Sequence, residues 1–117
     1  MSPQSLKPHR LRSARDFQRV YAEGARKAGK LLVVYRCPAE GALRVGVAVG
    51  RRVGKAVARN RIRRRLREIL RQLPLAGAQD LVVSARPQAA GASFWELREE
   101  LWGLLQELGA LRGEGVG

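Results

Sequence analysis

GRRVGKAVARNRIRRRLREILRQ, residues 50–72, is the stretch from which the fold can be read most directly. It carries ten Lys or Arg residues and a single acid, Glu68, yet apolar residues recur through it at intervals of three and four. This spacing is typical of an amphipathic helix, and Pro74 would stop it, so we predict a helix over residues 55–73. At 100° per residue its apolar side, within about 40° of one line, is formed by Ile62, Leu66, Ile69 and Leu73.

The opposite side of this predicted helix is almost entirely cationic. Solvated helices normally mix charges, because opposite charges four residues apart stabilise a helix by ~0.2–0.5 kcal/mol and like charges cost a similar amount. Here Arg63, Arg67 and Arg71 follow one another at that spacing. We therefore favour a surface that meets a polyanion, and a merely solvated face is the alternative. The polar side comprises Asn60, Arg63, Arg64, Arg67 and Arg71, and the apolar side is flanked by Arg59, Arg61 and Arg65.

The charge of the whole chain is large and unevenly distributed. The 117 residues include 23 Lys or Arg and 10 Asp or Glu, which gives a net charge of +13, and 45% of them are hydrophobic. This hydrophobic content indicates one folded domain rather than a disordered chain. Residues 1–71 contain 20 basic and 4 acidic side chains, whereas residues 72–117 contain 3 basic and 6 acidic ones. We expect the first two thirds to face the polyanion and the last third to support the fold.

Several classes of protein are disfavoured by the sequence. No segment approaches the ~20 apolar residues of a membrane span, and the N-terminal residues lack the apolar core of a secretory signal. Cys37 is the only cysteine, so we expect neither a disulfide partner nor a cysteine-based zinc site. A cytoplasmic protein without membrane contact is the simplest expectation.

The remaining sequence predicts two more helices and at least three strands. Ser13 starts a short helix that Gly24 closes, and Ser93 and Glu96 form the capping-box pattern of a C-terminal helix. Strands are predicted for the β-branched and glycine-containing runs at residues 30–37, 43–51 and 80–86.

These elements assemble into one α+β domain, a small sheet packed with about three helices. We expect residues 30–37 and 43–51 to pair as an antiparallel hairpin. An extra strand within residues 25–31 is an open alternative. Glycines within 43–51 suggest a bulge or a close backbone approach at Gly46 and Gly50. The predicted organisation is a mobile basic arm, a folded α+β domain that carries the polyanion-facing surface, and a flexible tail, at residues 1–10, 11–112 and 113–117.

The acidic residues do not form a nuclease site. No DxD or DxE pair lies on a predicted strand, as two-metal nucleases commonly require, and Glu99 and Glu100 point to different sides of their helix. His9 has no sequence partner for acid–base work, and GRRVGK lacks the spacing of a phosphate-binding P-loop. We therefore predict no catalytic residue and no metal ligand on this chain.

The segments described so far resemble one family. KAVARNRIRR, residues 55–64, directly follows the strand VGVAVGRRVG and is similar to the RNR signature of the bacterial ribonuclease P protein component. RLRSARDFQRVYAEG resembles the family's first helix, LLVVYRC its aromatic-bearing strand, and DLVVSARP the strand after the RNR helix. The order and spacing of the segments also match, over residues 10–90.

The resemblance implies a non-catalytic subunit of an endoribonuclease. Members of the family bind a large catalytic RNA, and the ribonucleoprotein removes the 5′ leader from precursor tRNA with magnesium ions held mainly by the RNA. The implied partners are ribonuclease P RNA and precursor tRNA. The family fold is a four-stranded sheet with three helices, in which strand, RNR helix and next strand make a left-handed crossover, against the usual right-handed rule.

Three sets of site residues carry over to this chain by position. The RNA-facing side of the RNR helix corresponds to Arg59, Asn60, Arg61, Arg63, Arg64 and Arg67. The aromatic lining of a cleft that holds single-stranded leader corresponds to Phe17, Tyr21 and Tyr35. Ordinary core packing is the alternative for the aromatic set. Supporting basic residues are Arg51, Arg52 and Lys55, the first two standing where the family usually has lysines.

Two other functions stay open on composition and fold alone. A small structural RNA-binding protein of ribosomal type explains the charge equally well, but not the ordered match of segments. A DNA-binding regulator would use residues 55–73 as a recognition helix, but a glycine-containing strand precedes them instead of a helix-turn-helix partner. The C-terminal helix is more apolar and acidic than the basic tails of many family members, which argues against a tail contribution to RNA binding.

Overall fold

In the computed structural model, which describes residues 9–113, the basic run forms a 17-residue helix, Ala56–Gln72. Lys55 and Leu73 flank it as cap residues, so the prediction for residues 55–73 is confirmed. The four apolar residues that define the predicted inner side are buried, and Leu70 is buried beside them. Leu70 widens the apolar side towards Arg63 and Arg67, which are therefore half-buried at its edge rather than fully exposed.

The described residues form three helices and five strands, and three of the strands follow one another between the first and second helices. The α+β class and the helices are confirmed, and the sheet has one strand more than the predicted four. A strand within residues 25–31 is among the five. Short 3₁₀ turns follow the fourth and fifth strands, at Arg51–Val53 and Pro87–Gly91. In chain order the elements are β1 His9–Arg10, α1 Ala14–Glu23, β2 Ala25–Ala28, β3 Leu32–Pro38, β4 Arg44–Val49, α2 Ala56–Gln72, β5 Gln79–Ala85 and α3 Phe94–Glu107.

The strand order is β1-β4-β5-β3-β2. Strand β5 pairs parallel to β4 and antiparallel to β3, so it separates the two strands that we expected to form a hairpin. That prediction is wrong, and the burial of β5 gives the reason. Leu81, Val82 and Val83 are all fully buried, which requires cover on both faces of the sheet and favours the central position.

Helix α2 connects the parallel neighbours β4 and β5. Parallel strands cannot be joined by a tight turn, so a crossover helix between them is required. Its left-handed sense stays a prediction of the family resemblance.

The predicted N-terminal arm and C-terminal tail are only partly covered by the described residues. Residues 1–8 of the arm and 114–117 of the tail lie outside the described residues. The last two residues of the predicted arm, His9 and Arg10, form β1 alongside β4. His9 N–H donates to Leu43 O and Leu11 N–H donates to Val45 O, both at 3.0 Å. The folded domain therefore begins earlier than residue 11.

The sheet has a different apolar cluster on each face. Leu81 and Val83 belong to the larger cluster, which α2 and α3 cover, whereas Val82 belongs to a smaller one beneath α1. Phe17 and Tyr35 pack against this smaller cluster. Helix α1 and the basic helix α2 therefore lie on opposite faces of the sheet.

The helix ends follow the predicted capping residues. The Oγ of Ser13 accepts from the backbone N–H of Arg15, at 3.1 Å, and Ser93 and Glu96 cap each other at the start of α3. Gly24 closes α1 with φ −80°, and a Cβ at that position would lie 2.6 Å from Val20 O, so its role is close approach. No helix within residues 9–113 has both the length and the apolar character needed to cross a membrane.

Candidate nucleic-acid interface

The residues predicted from the RNR signature lie together on α2 and just before it. The half-buried members hold their guanidinium groups against the protein, and the exposed ones extend into solvent. Half-buried are Arg59, Arg63 and Arg67, and exposed are Arg51, Arg52, Lys55, Asn60, Arg61 and Arg64.

The N-terminus of α2 is strongly electropositive. Lys55 occupies the N-cap position without a side-chain hydrogen bond to the helix, and the first turn contains no acid. The unpaired backbone N–H groups of the first turn of α2, together with the helix dipole, add to the positive charges of Arg51 and Arg52, which precede the helix. The three supporting basic residues are therefore placed where an anion is favoured.

Two of the predicted arginines are already oriented by hydrogen bonds. The Nε of Arg59 donates to Gly54 O at 3.1 Å. Arg63 donates from Nη1 to Asn60 Oδ1 at 2.7 Å and from Nη2 to Val49 O at 3.4 Å. Because Val49 ends β4, Arg63 lies on the side of α2 that faces this strand. Ordering these side chains before binding reduces the entropy lost when they contact a ligand.

A further arginine joins this side of α2 from the N-terminal strand. Arg10 is the register partner of Val45, whose side chain lies in the core beneath α2, so Arg10 lies on the same face. Burial, and then the charges of Arg10 and Arg63, lower the pKa of Arg67 below its ordinary value. An arginine stays protonated at neutral pH even so. The three-arginine cluster, Arg10, Arg63 and Arg67, therefore concentrates positive charge that an anion would neutralise.

The predicted aromatic residues also come together, on the other face of the sheet. The ring centroids of Phe17 and Tyr21 are 6.2 Å apart, and those of Tyr21 and Tyr35 are 4.8 Å apart in an edge-to-face arrangement. Tyr21 is 36% exposed, whereas Phe17 and Tyr35 are half-buried. We call this row of three rings between α1 and β3 the aromatic cleft. The rings therefore pack against one another and also leave an accessible surface, so core packing and leader binding are compatible roles for them.

Gly46 makes room for this cleft. A Cβ at Gly46 would lie 2.5 Å from Cζ of Phe17 and 3.2 Å from Cβ of Leu11, so only glycine lets the Phe17 ring rest on β4. The close approach predicted at Gly46 is confirmed. At Gly50 a Cβ would meet nothing within 4 Å, so the same prediction is wrong there.

A buried ion-pair network fixes α1 to the sheet beside the cleft. Asp80 on β5 has no exposed surface, and Arg44 and Arg19 both donate to its carboxylate. Arg44 also donates from Nη1 to Asp16 Oδ2 at 3.0 Å, and Arg19 donates to Cys37 Sγ at 3.3 Å. Asp16 and Arg19 lie on α1, whereas the other three residues lie on strands. The network therefore sets the position of the helix that carries Phe17 and Tyr21.

The network changes the titration of its members. Burial alone would raise the pKa of Asp80, but the hydrogen bonds from Arg44 and Arg19 outweigh it and hold the pKa below the ordinary range. In turn, the hydrogen bond to Asp80 raises the pKa of both arginines. Asp80 is thus a carboxylate throughout the neutral range.

Sequence reasoning missed three features of the candidate site: Arg10, Arg26 and the Arg44–Asp80 ion pair. Arg10 lies in a two-residue strand, which is too short to show a periodic pattern. Arg26 on β2 is the register partner of Tyr35, and no local spacing connects the two. For the third feature, the Arg44–Asp80 pair, a signal did exist. Each residue is a charge at or near the start of an apolar strand, which would be costly to bury alone.

The described residues offer no evident metal site. Within residues 9–113 no group of three or more His, Cys, Asp or Glu side chains is arranged to hold a metal ion. Asp16 and Asp80, the two carboxylates of the ion-pair network, are both bonded to arginine. The side chains of residues 9–113 therefore do not supply the donor groups that a magnesium site would need.

Known proteins provide an independent comparison. A family model described as Ribonuclease P matches residues 6–109. The chain is 35% identical over 100 residues to the ribonuclease P protein component of Halalkalibacterium halodurans, and the match covers 82% of this chain and 84% of that protein.

Solved structures give the same result at the level of the fold. The RNase P protein of Staphylococcus aureus is similar with a TM-score of 0.81 and 30% identity, over 91% of this chain and 100% of that chain. The RNase P protein of Thermotoga maritima is similar with a TM-score of 0.76 and 33% identity, over 85% of this chain and 96% of that chain.

Proposed function

Because the chain belongs to the ribonuclease P protein family and is the protein subunit of that enzyme, we propose that it binds two RNA partners through opposite faces of its sheet. The cationic side of α2 contacts the RNA subunit, and the aromatic cleft holds the 5′ leader of precursor tRNA. Family membership favours this function over the structural protein of ribosomal type that composition alone left open.

The three-arginine cluster is the observation that carries the RNA-binding part of the proposal. Arg67 is partly desolvated, and the charges that act on its pKa are those of two further arginines. Such an arrangement is unfavourable in the free protein, and a phosphate group between the guanidiniums would relieve it. Arginine forks suit phosphate oxygens because they donate two parallel hydrogen bonds. The exposed Arg64 extends the same surface around α2, and the exposed Arg61 lies further round the helix.

The aromatic cleft supports the leader-binding part. Single-stranded RNA is recognised by stacking its bases on aromatic rings beside a positive surface. Tyr21 presents the most exposed ring, and Tyr35 meets it edge to face. Arg26, which is exposed and faces the same side as Tyr35, is available to a backbone phosphate.

We assign phosphodiester hydrolysis to the RNA subunit, with the magnesium ions that assist it. The chain's own residues act by binding: the arginines neutralise phosphate charge and the cleft holds the leader in place. Neutralisation by fixed cations reduces the charge that divalent ions otherwise offset, so the protein should matter most at low magnesium. We also place the protein in the cytoplasm, where Cys37 stays reduced.

Reconstitution with ribonuclease P RNA tests this function. The chain should increase cleavage of precursor tRNA at low magnesium, and the Arg63→Gln/Arg67→Gln double variant should increase it much less. Arg98→Gln on α3 is the matched control, because it removes one arginine outside the proposed RNA surface, and it should behave like the unmodified chain. A chain that gives no stimulation contradicts the function, and equal stimulation by the double variant contradicts the site.

A further inference from the structure

The outer side of α3 exposes an aromatic surface that the proposed function does not use. Trp95 is 70% exposed, and Trp102, two turns further along the helix, is half-buried. Arg98 and Glu99 lie between the two rings at helical spacing, and a shallow groove is lined by these four residues alone. We call them the α3 patch. The inner side of the helix packs into the core through Leu97, Leu101, Leu104 and Leu105.

Each ring of the α3 patch contacts a neighbouring side chain. Trp95 meets Phe94 edge to face with centroids 5.1 Å apart, and Phe94 packs against the main core. The Arg98 guanidinium carbon lies 5.5 Å from the centroid of Trp102. An exposed tryptophan with an arginine beside it is the composition of an interface centre rather than of an ordinary surface.

Charge argues that the occupant is a protein and not RNA. The α3 helix contains four glutamates, at positions 96, 99, 100 and 107, and one arginine, so an RNA backbone would be repelled. The patch itself holds one cation and one anion. Helix α3 packs over β3 and β2, at the opposite end of the sheet from Arg10 on β1. A partner can therefore occupy the patch while the arginine cluster is bound.

The patch is complementary to itself. Residues 95, 98, 99 and 102 are placed symmetrically about a point between Arg98 and Glu99. If two copies of α3 lie antiparallel about a two-fold axis through that point, a rise of about 1.5 Å per residue brings each Trp95 level with Trp102 of the second copy. The same operation brings each Arg98 level with Glu99 of the second copy. We propose that the α3 patch is a homodimer contact of this geometry, which is the isologous kind.

The proposed contact responds to salt in the opposite sense from RNA binding. Two chains of net charge +13 repel each other at long range, and added salt screens this repulsion. Dimerisation should therefore strengthen as salt is raised, because the tryptophan contacts are apolar and the exposed ion pairs add little. RNA binding weakens over the same range.

Sedimentation velocity of the RNA-free chain over a range of concentrations tests the proposal. We expect a monomer–dimer equilibrium, and Trp95→Ala should weaken it by at least tenfold. Trp95 is mostly exposed, so this variant should keep its fold, which circular dichroism checks. Arg98→Glu alone and Glu99→Arg alone should each dimerise more weakly than the unmodified chain, because like charges then face each other at both positions. Mixed together, these two variants should form a heterodimer, because the two-fold geometry then pairs opposite charges at both positions.

The charge swap makes the result specific. A chain that is monomeric at every concentration overturns the proposal, and so does a mixture of the two charge variants that dimerises no more than its components. A dimer that Trp95→Ala leaves unchanged also overturns it, since the contact then lies elsewhere. The outcome is independent of the proposed function, because Trp95→Ala should stimulate precursor tRNA cleavage as the unmodified chain does.

Discussion

Arg44 holds the buried carboxylate of Asp80 by two hydrogen bonds, from Nε to Oδ1 and from Nη2 to Oδ2, each 2.9 Å long. The two residues are register partners on the parallel strands β4 and β5. Through its remaining nitrogen Arg44 also reaches Asp16 on α1. A single guanidinium therefore links the centre of the sheet to the helix that carries the aromatic cleft, and so connects the stability of the fold to the geometry of a binding site.

Asp80→Asn should destabilise the protein by about 2–3 kcal/mol. Removing one partner of a buried ion pair costs about 3–5 kcal/mol, and we place the loss below this range because Arg19 and Arg44 are each about one-third exposed and solvent screens them. Urea unfolding measures the change. Glu68→Gln, which breaks the exposed pair with Arg71, is the control and should cost much less stability than Asp80→Asn. Equal unfolding midpoints for the two variants would show that the network adds no stability.

Stability should fall in acid because of Asp80. Its folded pKa lies below the unfolded value of about 3.9, so its contribution is complete above that pH and is lost as the pH falls through the folded pKa. As the pH falls below about 4, Asp80→Asn should therefore lose less free energy of unfolding than the unmodified chain. Urea unfolding across this range provides the comparison. Parallel pH profiles would assign the acid sensitivity to other carboxylates.

Arg10→Gln should weaken binding to ribonuclease P RNA, although the sequence alone placed this residue in an arm. Removing one cation that pairs with a phosphate should reduce the slope of log K against log salt by about 0.7–0.9. Arg64→Ala/Arg67→Ala should reduce it by about twice that amount. Salt titration of RNA binding measures these slopes, with Arg98→Gln as the control. An unchanged slope in Arg10→Gln would remove this residue from the interface.

Tyr21→Leu should weaken binding of precursor tRNA more than binding of mature tRNA, because only the precursor carries a leader to stack in the cleft. Tyr21→Phe keeps the ring and should largely restore the difference. Affinities of the reconstituted enzyme for both tRNA forms provide the measurement. If Tyr21→Leu weakens both equally, the ring has a packing role only.

Gly46→Ala should displace Phe17 and reduce the preference for precursor over mature tRNA. The added methyl group would lie 2.5 Å from the Phe17 ring, so overpacking should also cost about 1–3 kcal/mol of stability. Gly50→Ala is the matched control, since its methyl group would meet nothing within 4 Å. If Gly46→Ala keeps the full preference for precursor, the cleft does not depend on the Phe17 position.

Much of the candidate site was predictable because it lies within single elements. The angles of Ile62, Leu66 and Ile69 predicted which side of α2 is buried, and the cationic side follows from the same periodicity. Phe17 and Tyr21, one turn apart, could be placed on one face of α1. The strand order could not be predicted in this way, since the pairing of β3 with β5 depends on which apolar strand needs cover on both faces.

Local sequence was enough to specify the helices, their capped ends and the separation of apolar from cationic residues, because these depend on neighbours three or four positions apart. The folded chain was needed to show that Arg10 joins Arg63 and Arg67, that Tyr35 meets Tyr21, and that Asp80 is held by Arg44. The residues brought together in this way lie between 14 and 57 positions apart in the chain. Long-range packing brings these residues together, and the local spacing of the sequence contains no signal for such packing.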